Sequence, residues 1–108
     1  MGCMDKSYVT DCVRSFAEKA KQAMDVRQVI LFGSYAKGTA TDESDIDVAV
    51  VTDSPVADWL ETAARLYRLS GNIDLAMEPH LLDSLSDRSG FLEHIRQTGE
   101  IIYDREHA

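Results

Sequence analysis

Ser44-Asp45-Ile46-Asp47 sets two carboxylates two residues apart at the mouth of an apolar run ending near Thr52. Successive side chains of a strand alternate between faces, so Asp45 and Asp47 share one face, as do Ile46, Val48 and Val50 the other. A buried, unpaired carboxylate costs on the order of several kcal/mol, and a divalent cation offsets that cost. Mg²⁺ prefers carboxylate oxygens and keeps positions for water and substrate phosphate. Gly33-Ser34 follows the apolar run Val29-Ile30-Leu31-Phe32 and precedes Gly38. Glycine lets backbone approach a ligand, and successive N–H groups in such a turn can cradle phosphate. Asp74 interrupts Ile73-Asp74-Leu75-Ala76-Met77. It could complete a metal site or take the proton of an attacking hydroxyl. Each feature alone has a plain explanation: a tight turn, a solvated strand end, one Asp in a short exposed strand. Together they read as a phosphate cradle facing a carboxylate metal site, the apparatus of in-line displacement at phosphorus.

These groups need a scaffold. Val9, Val13, Phe16, Ala17, Ala20 and Met24 recur on one helical face, predicting a first helix over 5–24. The run 29–32, stopped by Gly33, reads as a buried strand, and 33–44 as a polar connection with room for one helical turn. Residues 45–52 read as the second strand. Ser54-Pro55 has the form of an N-cap with Pro at the first helical position. The stripe Val56, Trp59, Leu60, Ala63 and Tyr67 then predicts a helix ending at Gly71, with Trp59 in the core. Residues 73–77 read as a third strand ended by Pro79, 83–97 as a helix ended by Gly99, and 101–103 as an edge strand. The order predicts a small α/β (α+β) domain: one mixed sheet flanked by helices, with residues 1–108 as a single unit.

The composition narrows the function classes. With 11 Lys plus Arg against 19 Asp plus Glu, the formal net charge is −8. That balance disfavours direct nucleic-acid binding by phosphate neutralisation. No apolar run approaches the roughly 20 residues that span a bilayer. The N-terminus carries Asp5, Lys6, Asp11 and Arg14 where a signal peptide would be apolar, so a cytoplasmic protein without a membrane role is expected. Cys3 and Cys12 match no zinc or redox spacing and read as reduced thiols. His80, His94 and His107 show no ligand spacing and read as ordinary surface or partly buried histidines. Tyr8, Tyr35, Tyr67 and Tyr103 are possible acceptors for self-modification, though an idle surface position is the simpler reading of each.

Gly33-Ser34-Tyr35-Ala36-Lys37-Gly38 followed by Ser44-Asp45-Ile46-Asp47 resembles the signature of the nucleotidyltransferase superfamily related to DNA polymerase beta. In size and order the chain is similar to its minimal, MNT-type members. The resemblance implies that Asp45 and Asp47 bind Mg²⁺, with Asp74 as third carboxylate and general base. It implies that Gly33 and Ser34 contact the triphosphate of ATP and that Ser44 supports the Asp45 carboxylate or its loop. Many relatives carry Arg where this chain has Lys37, which would meet a phosphate as a point charge without a bidentate fork.

So small a core leaves one side of such a site open, and excluding water there calls for a partner. The resemblance implies a helical HEPN-type toxin as that partner. The chain would then be its antitoxin, transferring AMP from ATP to a toxin tyrosine in a homo- or hetero-oligomeric assembly. Two alternatives stand beside this: a module that neutralises its partner by contact alone, and a nucleotidyltransferase acting on a small molecule.

Overall fold

The computed structural model describes residues 4–87 and 89–107; Cys3 lies outside them. Helix α1 spans Lys6–Ala23, close to the predicted range. Asp5 caps it, its carboxylate accepting from the N–H of Ser7 at 3.2 Å. Strand β1 (Gln28–Phe32) runs into the one-turn helix α2 (Ser34–Lys37), and β2 covers Ile46–Thr52. Helix α3 (Trp59–Gly71), β3 (Met77–Asp83), α4 (Phe91–Thr98) and β4 (Glu100–Asp104) complete the domain, with a 3₁₀ turn at Arg105–His107.

The four strands form one mixed sheet ordered β3-β2-β1-β4. β1 pairs antiparallel with β2 and with β4, whereas β2 and β3 are parallel. The alternation read from the sequence decides what each face does. Val29, Leu31, Ile46, Val48 and Val50 pack with Val9, Val13 and Phe16 of α1 and Leu66 of α3. On the opposite face Ile30, Ala49 and Val51 meet Leu92 and Ile95 of α4. Asp47 shares that second face, one strand step beyond Ala49.

Gly99 sets how closely α4 approaches the sheet. A Cβ there would lie 2.7 Å from the backbone oxygens of both Ile95 and Leu31, so no larger residue fits between helix and strand.

Three expected elements differ. Asp58, not Ser54, caps α3, its carboxylate accepting from the N–H of Glu61 at 3.0 Å. Pro55 therefore precedes the helix. The predicted stripe of α3 is largely outward: Trp59 is 39% exposed, Leu60 81% and Tyr67 62%, while Leu66 and Ser70 face inward. The expected strand over 73–77 is instead a turn. Ser70 O accepts from the N–H groups of Ile73 and Asp74, Asp74 O accepts from Met77 N–H, and the Asp74 carboxylate accepts from Ala76 N–H. These local bonds divert the backbone from a ladder. The strand begins at Met77 and passes through Pro79, because β3 is a sheet edge where proline's missing N–H is tolerated. It takes up Asp83, so the expected helix over 83–97 begins only at Phe91. There the Asp87 carboxylate accepts from the N–H groups of Leu92 and Glu93.

Candidate active site

Phe32, Asp47 and Glu78 lie side by side on β1, β2 and β3 as register partners. Directly after Phe32 the chain turns at Gly33, with φ +77° and ψ −151°. This is backbone that essentially only glycine adopts. A Cβ at Gly33 would stand 2.5 Å from Asp47 Oδ2 and 3.3 Å from its Cγ. The missing side chain is thus what admits the Asp47 carboxylate against the glycine turn. The first-turn N–H groups of α2 have no acceptor within the helix, and they begin at this turn.

On the other side of Asp47 stand Glu78 and His80, two residues apart on β3 and hence on one face. His80 Nε2 lies 3.5 Å from Asp47 Oδ1 and 3.8 Å from Glu78 Oε1. Phe32 meets the imidazole edge-on with ring centroids 5.2 Å apart, and Phe91 meets Phe32 in turn at 5.8 Å. Burial pushes the Asp47 carboxyl above the ordinary range; His80 opposes that shift and the nearby Asp45 adds to it. Asp45 is exposed and just precedes β2. With Glu78, His80, Tyr67 and Leu75 it lines a cavity of about 410 Å³.

The Asp74 expectation needs correction. Asp74 lies in the turn before β3, where its carboxylate accepts from the Tyr8 hydroxyl at 2.6 Å and from Ala76 N–H at 2.8 Å. The carboxylate beside Asp47 is that of Glu78. The same alternation that paired Asp45 with Asp47 would have found it: Glu78, His80 and Leu82 fall on one face once the strand is drawn through Pro79. His80, read from sequence as an ordinary histidine, belongs to this group.

Ser44 serves the loop. Its hydroxyl accepts from Thr41 N–H at 2.9 Å and its own N–H reaches Thr41 O. Lys37 is exposed at the end of α2. Tyr35 is buried, not a surface residue, and its hydroxyl accepts from Met4 N–H.

The donor set fits a divalent cation. Asp47, Glu78 and His80 bring one ligand atom each within 4.8 Å of one another. His80 Nε2 is buried without a hydrogen-bond partner among the described residues. Two carboxylates this close repel each other unless a proton or a cation intervenes.

The family described as Polymerase beta, Nucleotidyltransferase matches residues 15–108. The chain is 32% identical to "Putative protein adenylyltransferase MJ1305" of Methanocaldococcus jannaschii, over 95% of this chain and 77% of that one. Among solved structures, a toxin–antitoxin with AMP-PNP superposes with a TM-score of 0.66 at 23% identity, over 87% of this chain and 75% of that one. A complex of tri-AMPylated Shewanella oneidensis HEPN toxin with MNT antitoxin gives 0.61 at 19% identity, over 91% and 75%. At such identities these two structures bear on the fold, which they share. The sequence matches cover the glycine turn, Asp45, Asp47 and the β3 pair, and the chain belongs to the polymerase beta-type nucleotidyltransferase family.

Proposed function

We propose that this nucleotidyltransferase moves AMP from ATP to a tyrosine hydroxyl of a HEPN-type toxin and thereby acts as its antitoxin, with Mg²⁺ as cofactor. One observation carries the reading: the Asp47 carboxylate is wedged between a glycine-only turn and the Glu78–His80 pair. Triphosphate would lie along Gly33 and Ser34, and the acceptor hydroxyl would come from the side of β3. Asp45, Asp47 and Glu78 would hold Mg²⁺, which would supply positive charge against the phosphates of the nucleotide.

In the reaction the acceptor oxygen forms a bond to the α-phosphorus. The bond from that phosphorus to the β-bridging oxygen breaks, and pyrophosphate leaves. Glu78, facing the side of entry, takes the hydroxyl proton. The protein's contribution is mainly position and charge, since phosphoryl transfer asks little covalent work of it.

A macromolecular acceptor suits the surroundings of the cavity. Tyr67 is 62% exposed and Leu75 90% exposed at its rim, and an acceptor protein would cover both while excluding water. The relatives named for protein adenylyltransfer and AMPylated toxin support the same choice.

The test is transfer of label from α-³²P-ATP with Mg²⁺ to a co-expressed HEPN-type partner, with γ-³²P-ATP and Asp47→Ala as controls. Label arriving from the α position alone, and only with the wild-type chain, is expected. Neutralisation of the partner that persists in Asp47→Ala without any label would replace this reading with inhibition by contact.

A further inference from the structure

We infer that His80 is itself a ligand of the divalent cation held at Asp47 and Glu78, making a mixed nitrogen–oxygen site that prefers first-row transition ions such as Mn²⁺ to Mg²⁺. The inference rests on the metal reading above and adds a residue to it.

Three observations carry it. Nε2 is buried and has no hydrogen-bond partner among the described residues, although two carboxylates face it. At 3.5 Å from Asp47 Oδ1 and 3.8 Å from Glu78 Oε1 it is too far for a sound hydrogen bond to either. Those separations fall between the two ligand spacings of an octahedral ion, so small side-chain adjustments would bring the three groups onto one cation. Ligands about 2.1 Å from an octahedral centre stand roughly 3.0 Å apart when adjacent and roughly 4.2 Å when opposite. The third observation is that the ring is held in place. Phe32 packs on it at 5.2 Å, and strand alternation aims it to the same side as Glu78.

Ligation needs the neutral imidazole with its proton on Nδ1 and the Nε2 lone pair toward the ion. Imidazole suits borderline first-row ions better than Mg²⁺, whose ligands are oxygens. The site should therefore bind Mn²⁺ more tightly than its carboxylates alone would.

The experiment uses the untagged full chain with Mn²⁺ as probe and no nucleotide. Electron spin-echo modulation of bound Mn²⁺ reports directly coordinated nitrogen. We expect ¹⁴N modulation that changes on ¹⁵N-histidine labelling, survives His94→Gln and disappears in His80→Gln. We also expect His80→Gln to weaken Mn²⁺ about tenfold while Mg²⁺ binding changes little. Bound Mn²⁺ without nitrogen modulation would overturn the role of His80 and leave the carboxylate site standing. Absence of Mn²⁺ binding would overturn both. Should His80→Gln fail to fold, the ¹⁵N labelling of the wild type with His94→Gln and His107→Gln still decides the matter.

Discussion

Gly33→Ala should injure both fold and activity, through two separable causes. The backbone at φ +77° and ψ −151° lies in a region that a side chain makes costly, by about 1–3 kcal/mol. The new Cβ would also stand 2.5 Å from Asp47 Oδ2, with Cγ at 3.3 Å and Cβ at 3.4 Å near ordinary contact, so relief requires the carboxylate to turn out of its place against the glycine. Ordinary contact begins near 3.4 Å, so the carboxylate must retreat by about 0.9 Å. Together strain and overlap should cost about 2–4 kcal/mol, lowering Tm by roughly 10–20 °C in a domain of this size. A misplacement near 1 Å of a group that positions the reaction costs about 100-fold in rate. Thermal unfolding and α-³²P transfer, measured on the same preparation, read the two effects. The double variant Gly33→Ala/Asp47→Ala separates them: strain persists, overlap goes, and the stability losses should be non-additive by about 1 kcal/mol. A Gly33→Ala chain with Tm within 2 °C (about 0.5 kcal/mol) and transfer within about twofold of wild type would refute this reasoning.

Further outcomes follow from single contacts. Asp47→Asn should stabilise the metal-free chain at neutral pH by on the order of 1 kcal/mol, at the expense of activity. Because burial raises the Asp47 pKa, the proton favours the folded state, and that contribution is lost as pH rises through the folded pKa. The gain of Asp47→Asn should therefore vanish in acid, grow through the carboxylate range and level off at neutrality, as thermal melts across pH would report. Gly99→Ala should cost about 3 kcal/mol or more, since the Cβ meets two backbone oxygens at 2.7 Å and neither can turn away. Its loss should appear in denaturant midpoints without a change in slope. Tyr8 donates to the Asp74 carboxylate, which holds its phenol well above the ordinary tyrosine range. Asp74→Asn should bring that titration down in ultraviolet absorbance while leaving metal binding unchanged.

The parts of the fold legible in the sequence were those where period and burial agree. α1 shows an unbroken apolar face, and β1 and β2 are apolar runs with sharp ends, so these elements lie within a residue or so of expectation. The glycine turn and the face taken by Asp47 were legible because Gly33 ends an apolar run and strand alternation fixes the side of Asp47. The region after β2 was not. There the outward face of α3 carries Trp59, Leu60 and Tyr67, so apolar spacing pointed away from the core. Asp74 looked like a strand residue because Ile73 and Leu75 flank it, whereas its own side chain builds the turn that leads into β3. Pro79 looked like a terminator because edge position is a property of the assembled sheet. Both differences place Glu78, not Asp74, beside Asp47 and bring His80 onto the same strand face.

On the proposed function, AMP transfer depends on the carboxylates that β2 and β3 bring together. This dependence is tested most directly by comparing Glu78→Gln with Asp74→Asn in the α-³²P-ATP transfer assay at saturating Mg²⁺. We expect loss of transfer by at least about 100-fold in Glu78→Gln and near wild-type transfer in Asp74→Asn. Transfer retained in Glu78→Gln and lost in a folded Asp74→Asn would contradict it.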